Sequence, residues 1–291
     1  MLICIACRIA AIMLFLIYQD KGVERIMVPT SVIVCVVISI LICVGVPLAG
    51  FIAMQARGQH IVKACLLGAL NFVVMQMLLR MTLLGSVFPA MPWYQRMVQN
   101  PYWYGAFLGL TAGLFEEVGR YLCFAFLLKD RRRYIDGIAF GLGHGGVEAM
   151  MLVGTTLLNT LLIMIAINGG RFEALTANVD AAQRQQILEQ CLAITPVEAL
   201  VGGFERLCAM AAHIGFTMLI LTGIRNGKPG LYLAAAVLVH AVLDASIVIL
   251  PEALGFTVMG LEAVFLVFAL LLGGYALWVR RQYGAEPRPL A

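Results

Sequence analysis

Long apolar runs alternate with short polar links along the whole chain. The runs cover approximately residues 2–18, 28–54, 62–86, 103–128, 135–167, 197–223, 231–250 and 256–279. About 20 apolar residues suffice for a helix to cross the hydrocarbon core of a bilayer. The pattern therefore predicts an all-α fold: a polytopic transmembrane helix bundle of about eight spans, forming one integral membrane domain over residues 1–291. The fifth run is long and either tilts or projects past the bilayer. Between the fifth and sixth runs, residues 172–194 alternate apolar and polar positions at helical spacing. They predict an amphipathic outer-face helix, either a connector or a lid that guides substrate. The first run begins at Leu2 with no basic stretch before it, and no A-x-A-like site follows Tyr18. It is expected to be a retained span, not a cleaved signal.

Composition agrees with the pattern. The chain is 62% hydrophobic and 12% charged, against about 25% charged for an average soluble domain. Mean hydropathy is +0.94. Little chain is left for a soluble domain. The net charge of +4 is concentrated in particular links. No basic patch is interleaved with aromatic residues, so no nucleic-acid partner is expected. Basic residues follow the second run (Arg57, Lys63), the fourth (Lys129, Arg131, Arg132, Arg133), the sixth (Arg225, Lys228) and the eighth (Arg280, Arg281, Arg288). The other links are balanced or acidic. With eight spans every basic link falls on one side, which places both termini in the cytoplasm, in a bacterial cytoplasmic membrane. Trp93, Tyr94, Tyr102, Trp103 and Tyr104 form an aromatic belt at the outer interface. The eight cysteines are scattered, seven of them in apolar runs, and read as small buried hydrophobes.

A few ionisable residues interrupt the runs. Each costs roughly 2.5–3.5 kcal/mol on insertion scales, so such residues normally have partners and a function. Glu116, Glu117 and Arg120 lie in the fourth run, His144 and Glu148 in the fifth, His213 in the sixth, and His240 and Asp244 in the seventh. At ~1.5 Å per residue, Glu116 lies roughly 18 Å from the cytoplasmic end of its helix, and His144, His213 and His240 about 14, 15 and 14 Å from theirs. Four helices thus bring polar groups to one level. Glu116 and Glu117 point about 100° apart, so one is free for chemistry while Arg120 or a neighbouring helix holds the other. His144 and Glu148, like His240 and Asp244, are four residues apart, so each carboxylate can fix an imidazole tautomer or act as a ligand itself. The glycines around His144 let a neighbouring backbone or a substrate approach. Arg80 is free to pair with one of the carboxylates. Glu205 and Arg206 read as a structural pair, and His60 as solvated.

Three neutral imidazoles with an open position suit Zn²⁺. A nearby glutamate can then take a proton from water, and Arg120 or a histidine can stabilise an oxyanion. In order, Glu-Glu-x-x-Arg, Phe140-x-x-x-His144, a later histidine and His240-x-x-x-Asp244 resemble the superfamily of CAAX-prenyl endopeptidases and PrsW proteins. The closest likeness within it is to the YhfC-type intramembrane metalloproteases. The likeness covers residues 103–250, the motif-bearing core. It implies Glu116 as the water-activating base, supported by Glu117 and Arg120, with His144, His213 and His240 as the metal-binding residues and Glu148 and Asp244 beside them. Two departures from the superfamily pattern stand out. Arg120 follows the acidic pair after two residues instead of three, and Asp244 replaces an asparagine. The expected function is peptide-bond hydrolysis in a membrane protein or lipopeptide, at a site opening to the cytoplasmic half of the bilayer. The alternatives are a non-catalytic scaffold or immunity-type protein and a proton-coupled transporter. No inverted repeat supports the last.

Overall fold

A computed structural model describes residues 27–283. The first expected span, residues 2–18, lies outside the described residues. The described chain is helical, with no strand among its elements. Helix α1 spans Thr30–Ala56, α2 Val62–Ala90, α3 Pro92–Met97, α4 Pro101–Leu122 and α5 Tyr134–Asn168. Then follow α6 Phe172–Leu175, α7 Ala181–Ala193, α8 Pro196–Arg225, α9 Pro229–Leu254 and α10 Val258–Val279. Among the described residues, α1, α2, α5, α8, α9 and α10 are long and apolar enough to cross a membrane. Helix α4 has the length, with 22 residues, but carries Glu116, Glu117 and Arg120 and is not among these six.

Polarity runs inside out. On α4, Leu110 and Leu114 are exposed, whereas Glu116, Glu117 and Arg120 are buried. Leu70, Leu78, Leu238, Val242, Leu270 and Leu277 on other helices are exposed too. Such a surface is stable in lipid, where apolar side chains face the solvent and buried polar groups must pair with each other.

The described chain divides into two compact units, residues 27–41 with 154–203 and residues 42–153 with 204–283. The second unit contains every residue of the expected site. Its helices approach closely at glycines. A Cβ at Gly109 of α4 would stand 2.1 Å from the Ala241 carbonyl of α9, and one at Gly113 would stand 2.6 Å from that of Val237. The falling register makes α4 and α9 antiparallel. In α5, Gly137, Gly141 and Gly145 face Met218, Ile214 and Met210 of α8, which makes these helices antiparallel as well. The glycines around His144 thus admit neighbouring helices: Gly143 meets the Cys65 carbonyl of α2, and Gly146 meets Pro47 of α1.

Basic links gather at one end of this unit. Arg131 donates to the His60 carbonyl at 2.6 Å, Arg133 to the Gln59 carbonyl at 2.8 Å and Arg225 to the Arg132 carbonyl at 2.9 Å. A separate aromatic cluster joins Phe88, Trp93, Tyr94, Tyr104 and Phe107, with centroids 5.5–6.2 Å apart.

The first unit has its own core of Val28, Val32, Ile33 and Val36 against Met164, Ile167, Phe172, Cys191 and Ala199. Asn168 holds both backbone groups of Val28, at 2.8 and 3.0 Å. The helix expected over 172–194 is broken into α6 and α7. The first piece stops at Leu175, and Asp180 starts the second by accepting from the Ala182 and Gln183 amides at 3.0 Å each, a standard N-cap arrangement. One face of α7, with Ile187, Leu188, Cys191 and Leu192, packs on the core.

Candidate functional site

Five helices of the second unit carry buried polar side chains to one place. Glu116 (3% exposed), Glu117 (0%) and Arg120 (0%) come from α4, His144 (0%) from α5, His213 (6%) from α8, His240 (3%) from α9 and Asn71 (4%) from α2. The imidazole centroids of His144 and His213 are 4.4 Å apart, and those of His213 and His240 are 5.8 Å apart. The level estimated from run lengths is thus a real meeting point.

Glu116 Oε2 is its centre. It lies 2.9 Å from His144 Nε2, 4.0 Å from His213 Nδ1 and 3.9 Å from His240 Nε2. Glu117 points elsewhere. Its Oε1 takes both Arg120 Nη1 at 3.2 Å and His240 Nδ1 at 2.9 Å, while its Oε2 has no hydrogen-bond partner. Arg120 also donates to the His213 carbonyl at 3.4 Å and meets His213 Nδ1 at 3.2 Å. Neither Glu117 nor Arg120 lines the cavity that Glu116 lines. They hold His240 and His213 from behind.

The i,i+4 pairs sort differently from their spacing. Glu148 sits one turn from His144, but its Oε2 bonds His213 Nε2 at 2.7 Å and its Oε1 bonds Arg206 at 2.8 Å. His213 arrives on α8 and takes the carboxylate that the spacing offered to His144. Arg206 in turn pairs with Glu205. Asp244 Oδ1 stays near its own-helix partner, 3.7 Å from His240 Nε2. Arg80 pairs with no carboxylate among the described residues and bonds Thr111, Gln76 and the Leu108 carbonyl at 2.8–3.1 Å.

Two participants escaped the sequence reading. Asn71 Nδ2 lies 3.2 Å from both His144 Nδ1 and the Glu116 carbonyl. A guanidinium or an amide N–H can only donate. His213 Nδ1 therefore accepts from Arg120, and its ring carries the proton on Nε2, toward Glu148, whereas the Asn71 amide meets either tautomer of His144 by turning over. The available signal was a lone amide in the apolar run around Asn71, the same kind of signal that singled out Glu116. Phe216 is the other. It stacks on His240 with centroids 4.7 Å apart and planes 9° apart, and in the sequence it is indistinguishable from a lipid-facing residue.

A carboxylate oxygen of Glu116 and ring nitrogens of His144 and His213 all lie within 4.8 Å of one another, a set that fits one metal ion. His240 is outside that group. The structure thus offers a carboxylate and two imidazoles where three imidazoles were expected. Beside them lies a cavity of about 210 Å³, floored by Glu116, His213 and His240 and walled by Ala209, Ala212 and Leu243.

No solved structure matches the chain. It is 32% identical to "Uncharacterized membrane protein YhfC" of Bacillus subtilis (strain 168) over 254 residues, which is 87% of this chain and 97% of that protein. Residues 36–266 match the family described as YhfC intramembrane metalloprotease, a range that takes in all five site helices. A polytopic helical chain with a buried Glu-His-His group, matched along most of its length, belongs to the YhfC intramembrane metalloprotease family.

Proposed function

We propose that the protein is an intramembrane peptidase that hydrolyses a peptide bond of a membrane protein or lipopeptide, with Zn²⁺ held by Glu116, His144 and His213. The observation that carries this reading is the meeting of one carboxylate oxygen with three imidazoles inside a lipid-facing bundle. When bound, the ion supplies a Lewis acid that polarises a carbonyl and acidifies water. The chain supplies the rest. Glu117 fixes His240 through Nδ1, which leaves Nε2 as the basic nitrogen at the cavity floor. His240 takes the proton of the attacking water and returns it to the leaving amine, with Asp244 stabilising the charged ring. Arg120 and Glu148 orient His213. Membership of the wider CAAX-prenyl endopeptidase and PrsW superfamily, the cytoplasmic placement of both termini and the count of eight spans belong to this proposal as well.

The test has two readouts. Elemental analysis of the purified protein is expected to give one divalent cation per chain, lost in Glu116→Gln and kept in His240→Gln. New peptide termini in the membrane fraction are expected to require both residues. If His240→Gln loses the metal and Glu116→Gln keeps it, the roles exchange: three imidazoles hold the ion and Glu116 is the base. A second reading, a non-catalytic scaffold, draws on a specific feature: His144, His213 and His240 each already have a carboxylate partner. Absence of stoichiometric metal, together with an unchanged set of termini, would establish it.

A further inference from the structure

The cavity is lopsided with respect to the histidines. On α5, its lining residues Glu148 and Leu152 lie beyond His144, counted from the basic end of the unit. On α9, Leu243, Asp244 and Ile247 lie beyond His240 in the same sense. Helix α8 is antiparallel to both, and there Arg206, Ala209 and Ala212 precede His213. Of the lining residues on these three helices, only Phe216 falls on the basic side. Arg206 and Ile247 are each seven residues from their helix's histidine, about 10 Å along the axis. Apart from Phe216, the displacements on these helices point away from the end where Arg131, Arg133 and Arg225 meet.

The rim and floor differ in character. Leu152 and Ile247 are 39% and 43% exposed, so the rim reaches the lipid-facing surface. The walls are apolar, with Phe265 of α10 added to Ala209, Ala212 and Leu243. Arg206 is 8% exposed, lines the cavity and has an Nε with no hydrogen-bond partner. A charged donor in an otherwise apolar lining favours a guest that carries acceptors, and an unwound peptide offers backbone carbonyls. About 210 Å³ holds one or two side chains.

We propose that substrate enters this cavity from the half of the bilayer remote from the basic links, as a peptide segment already in the membrane. The cavity takes an apolar side chain of that segment, and the Arg206 guanidinium in its lining meets the segment's carbonyls. This rests on the peptidase reading and reverses the expectation of a site opening to the cytoplasmic half. Ala209 and Ala212 set the size of side chain admitted.

Access is tested first without catalysis. The full chain in vesicles, with Ala209→Cys, is treated with a charged, membrane-impermeant methanethiosulfonate on one side at a time, against the unsubstituted protein. Lys228→Cys marks the basic end. Glu148 and Arg206 give the cavity a charged lining that admits a polar reagent, so Ala209→Cys is expected to react from the side opposite to Lys228→Cys. Reaction from the same side, or no reaction, overturns the proposal. The second arm is Ala209→Leu, expected to remove most of the Glu116-dependent termini with metal content unchanged. Termini that persist unchanged overturn the cavity as the substrate's route and leave the peptidase reading standing. If no termini depend on Glu116 at all, the peptidase reading fails, and the labelling alone decides which way the cavity opens.

Discussion

Glu116 and Glu117 are adjacent residues with different neighbours. The 100° turn between them sends one carboxylate among three imidazoles and the other to Arg120 and His240. That division has a testable consequence. Removing one member of a buried ion pair strands the other and costs roughly 3–5 kcal/mol, whereas removing both is far milder. Arg120→Met is therefore expected to lower the unfolding temperature in detergent sharply, and Arg120→Met with Glu117→Gln to recover most of the loss. Failure to recover would show that Arg120 acts on His213 and not on Glu117. Asn71 acts at the same scale. A metal-binding Nε2 requires Nδ1–H on His144, and the Asn71 amide, turned over, presents the oxygen to accept it. Asn71→Leu is expected to weaken metal binding roughly 10–100-fold, the usual effect of losing such an outer contact. Competition with a metal chelator measures it. An unchanged affinity would reduce Asn71 to packing.

At the scale of elements, the site depends on how closely the helices approach. Gly141 on α5 and Gly119 on α4 show why. A Cβ at Gly141 would stand 2.5 Å from the Ile214 Cα, one residue from His213. A Cβ at Gly119 would stand 2.2 Å from Asn71 Oδ1. Overpacking of this kind costs about 1–3 kcal/mol and displaces what it touches. Gly141→Val is expected to reduce both thermal stability and bound metal, because His213 moves with α8. Gly85→Ala, where nothing lies within 4 Å, is the control and is expected to change neither. Widened π-helical turns follow at Phe72–Arg80 of α2 and Ala149–Gly154 of α5, just after Asn71 and Glu148. Such turns are frequent at functional sites, and no spacing in the sequence announced them.

For the whole molecule, the clustering of basic links predicts one charged face. Lys129→Cys and Lys228→Cys are expected to label from the same side of a vesicle, the cytoplasmic one in cells. Labelling from opposite sides would break the arrangement in which α4 and α8 both run toward the basic end and α9 runs back from it. Six of the seven runs expected within the described residues are helices long and apolar enough to cross a membrane, because lipid demands such helices whatever their neighbours; the fourth run, which carries the buried charges, is not among them. The split of residues 172–194 was not legible in the sequence, since alternation at helical spacing runs straight through Asp180 and conceals its cap.

By itself the sequence determined the helical class, the approximate bounds of six spanning helices and the level at which Glu116, His144, His213 and His240 lie. These follow from hydrophobic length and rise per residue, which are properties of single helices. Only the tertiary structure decided that Glu148 serves His213 and Glu117 serves His240, that Asn71 joins them, and which way the cavity runs. Those depend on the rotation and crossing of helices packed against one another, and a one-dimensional pattern does not encode which of several possible partners arrives first.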